Sequence, residues 1–196
     1  MVATRITVAE FEATCGDERV EVIDGVVVQM PAGSFGSVRV SATIARLLWT
    51  HVHPRKLGSV LAANAGFAIF PDRETVVAPD AAFIQAGREA QGDARWHFAR
   101  LAPNLVAEVI SPSDRASDMQ TKVALYQEAG VPLVWVVDPQ AQTVTVLAPG
   151  VQPHVLAATN TLEGGQVLPD FQVSVAEIFA LLRRMPTHRD TTSSPA

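Results

Sequence analysis

Cysteine is nearly absent from this sequence of 196 residues, because Cys15 is the only one. A single thiol cannot form an internal disulfide framework, and it cannot supply the several thiolates of a structural zinc cluster. The sequence therefore predicts a reducing compartment and a fold that depends on a hydrophobic core.

Long apolar runs are also missing. No stretch approaches the roughly 20 apolar residues that a membrane helix needs. The N-terminal stretch carries Arg5, Glu10 and Glu12 and lacks the apolar segment of a signal peptide. We therefore expect a soluble, cytoplasmic protein with no membrane partner.

Positive charge is in short supply as well. The formal net charge is -5 at pH 7 and the sequence pI is about 5.5. This balance argues against a protein that holds nucleic acid by bulk electrostatics. It does not exclude a nuclease, because bound divalent cations reverse the sign of an acidic site locally.

Hydrophobic residues, in contrast, are abundant. They make up 48% of the chain, and the mean hydropathy is +0.19. Such a chain predicts one domain over residues 1–184, followed by a tail at 185–196 with the composition of a disordered segment. The high apolar fraction also predicts surface that a second copy would cover, and hence a homodimer.

Periodicity and turn residues predict the outlying elements. Asp24-Gly25 between two apolar runs indicates a β-hairpin. Helical spacing predicts helices over 37–51 and 173–183, and edge strands are expected at 154–157 and 166–168. His51 and His53, near the end of the first of these helices, could bind a metal, although histidines before a proline often cap carbonyl groups instead.

Glu108 is the most unusual residue of the sequence. It lies within the apolar run 105–110, which is typical of a strand buried on both faces. A buried carboxylate costs several kcal/mol unless a cation or hydrogen bonds compensate it. The following helix, predicted to start at Ser117 or Asp118 and to end near Ala129, offers a candidate cation.

Lys122 is that candidate. At about 100° per residue it falls within the apolar face of the helix, beside Met119, Val123 and Tyr126. The alternatives are an ion pair with Asp118 four residues earlier, or a stem that carries the ammonium out to water.

Two further carboxylates stand beside apolar runs. Asp80 opens a strand directly after Pro79, where a turn residue is the simpler interpretation. Glu21 shares a strand face with Arg19, and an exposed pair with that arginine is the simpler interpretation there. If Asp80 and Glu108 lie on neighbouring strands, their oxygens could hold one or two Mg²⁺ ions, with Lys122 nearby to act on water or phosphate.

These motifs together resemble the Uma-two family of restriction-endonuclease-like domains, a branch of the PD-(D/E)XK nuclease superfamily. The resemblance covers roughly residues 7–182. Its motifs follow in the order Arg19-Val-Glu21-Val-Ile-Asp24-Gly25, Ala78-Pro79-Asp80, Pro103-Asn-Leu-Val-Ala-Glu108-Val-Ile-Ser111-Pro112-Ser113-Asp114, Asp118, Lys122, Tyr126, Gly130 and Trp135-Val-Val-Asp138-Pro139.

The resemblance implies an α/β fold, with a mixed central β-sheet flanked by α-helices and additional β-hairpins. It implies a Mg²⁺- or Mn²⁺-dependent DNA endonuclease in which Asp80, Glu108 and the main-chain carbonyl of Val109 bind the metal. Lys122 would be catalytic, and Glu21 would complete the acidic cluster. The competing expectation is a catalytically silent scaffold or a nucleic-acid-binding accessory protein that keeps the fold.

Two positions depart from the family pattern. Ile110 stands where the superfamily has its lysine, and Lys122 on the following helix matches the place to which this branch moves it. Gly36-Ser37 stands where many relatives have a histidine, which affects substrate positioning more than metal binding. We expect Asp80, Glu108 and Lys122 to converge in one partly open pocket, and Lys122→Met to keep most of the stability.

Overall fold

The computed structural model describes residues 5–14 and 20–182. Within these ranges the chain forms four α-helices, twelve β-strands and one 3-10 helix at Gly92–Trp96. The helices are α1 Val8–Thr14, α2 Phe35–Arg55, α3 Ala116–Glu128 and α4 Val175–Ile178. The strands are β1 Val20–Ile23, β2 Val26–Gln29, β3 Gly58–Ala62, β4 Phe67–Ala68, β5 Val76–Val77, β6 Ala81–Gln85, β7 Leu105–Val109, β8 Leu133–Asp138, β9 Thr143–Ala148, β10 Val151–Leu156, β11 Thr161–Glu163 and β12 Gln172–Ser174.

The central sheet is mixed and has six strands in the order β10-β9-β8-β7-β6-β3. Only β7 and β8 are parallel within it, and α3 connects them. The other neighbours are antiparallel. A four-stranded sheet with the order β2-β1-β5-β4 carries the N-terminal hairpin, and β11 pairs with β12 separately. The structure therefore has the predicted mixed α/β architecture.

Helices cover both faces of the central sheet. Successive side chains along its strands point alternately to the two faces, and each face forms an apolar core. Leu105, Ala107 and Val109 pack with the buried face of α2. Val106, between them, packs with Leu125 and Tyr126 of α3. Glu108 is two residues after Val106 on the same strand, so its side chain points to the same face of the sheet, the one covered by α3.

Several predicted boundaries need correction. Helix α2 extends beyond His51 to Arg55. It includes Pro54 in its last turn, and it ends at Lys56, whose backbone is in the left-handed conformation. Helix α3 begins at Ala116 after Arg115, without a side-chain cap from Ser117 or Asp118. Residues 166–168 form a turn rather than a strand.

The predicted last helix is also wrong in extent. Gln172–Ser174 pairs as a strand with Thr161–Glu163, and the helix that follows has only four residues. The reason is that Val173 fits the pleated sheet opposite Leu162, which overrides the local helical spacing. The tail at 185–196, Cys15 and Arg19 lie outside the described residues.

Candidate active site

The strand register brings Asp80 opposite Glu108. Ala81 pairs with Ala107 and Ala82 with Val106 in the antiparallel ladder between β6 and β7. Continuing that register by one residue sets Asp80, which directly precedes β6, opposite Glu108, near the end of β7. Because side chains alternate along a strand, both carboxylates belong to the α3 face of the sheet.

Backbone hydrogen bonds hold Asp80 in this place. Its Oδ2 accepts a hydrogen bond of 2.8 Å from the Val109 N–H. Its main-chain carbonyl accepts one of 3.2 Å from the hydroxyl of Ser41 on α2. The N–H and C=O of one strand residue point to the same edge, so the Val109 carbonyl is directed to the side on which Asp80 lies.

Helix α3 supplies a cation and a hydroxyl to Glu108. Lys122 Nζ lies 2.8 Å from Glu108 Oε1, and the Tyr126 hydroxyl donates to the same oxygen at 2.5 Å. The two residues are four apart on one helix, and they therefore lie on the same face. Neither alternative for Lys122 holds, since its ammonium is buried against Glu108 rather than paired with Asp118 or carried to water.

Glu21 reaches the same ammonium from the second sheet. Its Oε1 lies 2.9 Å from Lys122 Nζ and accepts a 2.8 Å hydrogen bond from the Ala78 N–H. Its exposed fraction is only 1%. The simpler interpretation of Glu21 as an exposed strand carboxylate is therefore wrong.

The charges at this site do not balance. Glu21, Asp80 and Glu108 carry three negative charges when ionised, against one positive charge on Lys122. Burial raises the pKa of Glu108 to about 7; Lys122 opposes that shift, while Glu21 and Asp80 add to it. The site as described therefore holds more negative charge than its lysine compensates.

The other two groups keep their protons. Burial alone would lower the pKa of Lys122, but the attraction of Glu108 and Glu21 outweighs it and raises that pKa above its ordinary value. Burial, and then the nearby carboxylates, raise the pKa of Tyr126 well above its ordinary value. Lys122 is therefore an ammonium and Tyr126 a neutral donor around pH 7.

The four charged residues line a cavity of about 400 Å³ that opens to solvent beside α2 and α3. Five carboxylates line it, but only two cations do. The acids are Glu21, Asp80, Glu108, Asp114 and Asp118, and the cations are Arg115 and Lys122. The structure thus brings the sequence-predicted site residues, including Val109, to one partly open pocket.

The donor set suits a hard divalent cation. Carboxylates and main-chain carbonyls are the ligands that Mg²⁺ accepts, and Mg²⁺ usually keeps several waters and takes only one or two protein carboxylates. Within residues 5–14 and 20–182, no three His, Cys, Asp or Glu side chains form a ready metal cluster. Asp80 and Glu108, with the surplus negative charge, fit a cation whose other positions are filled by water or substrate.

The histidines at the end of α2 do not contribute to this site. His51 Nε2 lies 3.0 Å from the Pro169 carbonyl oxygen, and the His53 ring stacks on Trp49 with centroids 4.5 Å apart. Neither lines the cavity.

Tyr126 is a residue of the site to which the sequence analysis assigned no role. Its place four residues after Lys122, on the apolar face of the helix, was a usable signal.

Comparisons with known proteins found a family and a solved structure that this chain resembles. A family profile described as "Putative restriction endonuclease", named Uma2, matches residues 8–176. The structure is similar to the crystal structure of "a putative nuclease belonging to DUF820" from Anabaena variabilis ATCC 29413, with a TM-score of 0.79 and 19% identity. That match covers 90% of this chain and 99% of the other. No curated protein matches the chain.

Proposed function

This chain belongs to the Uma2 restriction-endonuclease family, and from that premise we propose that it is a divalent-metal-dependent DNA endonuclease that hydrolyses phosphodiester bonds. The observation that carries the proposal is the position of Asp80 opposite Glu108, which follows from the register of β6 and β7, in a cavity where acids outnumber cations. Families of this kind generally use divalent metals.

Asp80, Glu108 and the Val109 carbonyl would hold Mg²⁺ or Mn²⁺. A bound divalent cation supplies Lewis-acid stabilisation of the phosphate and lowers the pKa of water. Lys122 orients the attacking water or stabilises the negative charge that develops on the phosphate oxygens. Glu21 completes the acidic cluster and, through its ion pair, holds Lys122 in place.

The proposed substrate is DNA. The proposed compartment is the cytoplasm, which suits a chain with one cysteine.

We also propose a homodimer. Its support is the edge strand β2, where Val26, Val27 and Val28 are between 36% and 45% exposed. Exposed apolar edge strands are frequent sites of association between copies.

A plasmid-nicking assay tests the activity. Supercoiled DNA should be converted to nicked or linear forms by the wild-type protein with Mg²⁺ or Mn²⁺, and not when EDTA is present. Asp80→Asn should abolish the conversion. The matched control is Glu163→Gln, which neutralises an exposed acid of β11 outside the cavity and should cleave like wild type.

One observation favours the alternative of a catalytically silent scaffold or nucleic-acid-binding accessory protein. Lys122 already pairs with Glu21 and with Glu108, so these two buried acids have a partner without a metal. If wild type cleaves no DNA with either metal and neither metal raises its melting temperature, the scaffold becomes the better account.

A further inference from the structure

Tyr126 is a fully buried residue of α3 that contacts Glu108. Its side chain is 0% exposed, and its hydroxyl donates at 2.5 Å to Glu108 Oε1. Lys122 Nζ forms an ion pair with the same oxygen at 2.8 Å. Both of these contacts from α3 are therefore made to the same oxygen of Glu108, Oε1.

The ring of Tyr126 gives this contact its rigidity. It packs in the apolar core between α3 and the central sheet, with Val106 and Val134 as neighbours in that core. A close-packed ring has little freedom to move its hydroxyl. Tyr126 and Lys122 thus fix Oε1 on the α3 side, while Glu108 still lines the cavity.

We propose that Tyr126 is a positioning residue that holds Glu108 so that Oε2 faces a divalent cation in the cavity. The inference rests on the proposed function and adds a residue to it. Groups that hydrogen-bond a metal-binding side chain orient that side chain, and their removal commonly weakens metal binding about 10- to 100-fold. A tyrosine that merely satisfied its own buried hydroxyl would affect folding stability but not metal affinity.

Removal of the hydroxyl alone tests this. Tyr126→Phe should weaken Mn²⁺ binding, measured by calorimetry on the full chain, by about 10- to 100-fold. The control is Leu125→Val, which removes one methylene from the neighbouring buried position of α3 and should keep the wild-type affinity.

The possible outcomes separate the two proposals. If wild type binds no Mn²⁺, the metal-dependent function fails and this inference fails with it. If wild type binds Mn²⁺ and Tyr126→Phe binds it equally well, only the role of Tyr126 is overturned.

A second measurement needs no substitution at Tyr126. The chain has a single tyrosine, so 3-fluorotyrosine labelling gives one ¹⁹F resonance that reports on this position. Mg²⁺ should shift that resonance, and Glu108→Gln should remove the response. Mg²⁺ binding seen by calorimetry without any shift would overturn the proposal, even if Tyr126→Phe fails to fold.

Discussion

At the scale of single residues, the site is a competition between burial and charge. Glu108 is 3% exposed and Lys122 is 6% exposed, positions where an isolated charge is not tolerated. The lysine lies between two carboxylates and stabilises both. Burial is the main reason that the pKa of Glu108 stays raised despite an ammonium at 2.8 Å, and the charges of Glu21 and Asp80 add to the rise.

Lys122→Met should therefore destabilise the protein. From the sequence we expected the apolar stem to compensate for the loss, but the two ion pairs reverse that expectation. Removing one partner of a buried ion pair commonly costs about 3–5 kcal/mol, because the other charge stays buried and unpaired. Urea unfolding measures the free energy of unfolding. The double variant Lys122→Met with Glu21→Gln should recover part of the loss, and no recovery would contradict this account.

Glu108 should also give the stability of the metal-free protein a particular pH dependence. Its pKa is about 7 in the folded chain against an ordinary value of 4.5. Between those values the folded chain holds a proton that the unfolded chain releases, so this group's contribution is full below about 4.5 and is lost as the pH rises through about 7.

Unfolding of wild type and Glu108→Gln, compared at several pH values, isolates that contribution. The stability of wild type relative to the variant should fall from pH 4.5 to pH 7. A constant difference across this range would show that the carboxyl is not protonated in the fold.

At the scale of elements, β6 and β7 present the acids, and their neighbours hold these strands in register. Strand β3 pairs with β6 along five residues, from Gly58 opposite Gln85 to Ala62 opposite Ala81. Gly58 has φ +144°, and a Cβ built there would lie 2.0 Å from the Ile84 carbonyl oxygen. No rotamer relieves such a contact, because the backbone fixes the position of the Cβ and the oxygen belongs to the main chain.

Gly58→Ala should accordingly cost more stability than Gly130→Ala. Gly130, which follows α3, has φ +74° and no atom within 4 Å of a built Cβ. Its substitution should cost only the left-handed strain of about 1–2 kcal/mol. Chemical denaturation of both variants measures the difference, and equal losses would mean that β3 moves away from β6 at little cost.

At the scale of the whole molecule, metal binding should couple to folding. A ligand that binds only the native state stabilises it, by about 2.7 kcal/mol at a concentration 100 times its Kd. Mg²⁺ or Mn²⁺ should therefore raise the Tm of wild type. Asp80→Asn and Glu108→Gln should remove the increase, whereas Glu163→Gln should keep it. A metal-induced increase that survives in Asp80→Asn would place the metal elsewhere.

Association is the second property at this scale. If the β2 edge is an interface, light scattering should give about twice the chain mass of 20.9 kDa at micromolar concentrations. Val27→Lys, which puts a charge on that exposed edge, should shift the mass toward a monomer. A mass near 20.9 kDa for wild type would exclude a stable dimer.

The family resemblance implied the mixed α/β architecture. The residues themselves predicted the hairpin at Asp24-Gly25, the buried strand around Glu108 and the candidate acids. Those predictions follow from local periodicity and from the cost of burying charge, both of which depend on neighbouring residues. The local pattern wrongly predicted that the helix over 173–183 includes Val173, which instead pairs with Leu162 in a strand.

The charges that meet at the site are set by long-range packing. Glu21 and Lys122 are 101 positions apart in the sequence (122 − 21 = 101), yet their charged atoms lie 2.9 Å apart. That contact depends on how the second sheet packs beside α3, and no local pattern contains this information. The same holds for the Tyr126 hydroxyl, because a helical stripe predicts the burial of a tyrosine but not the carboxylate that its oxygen reaches.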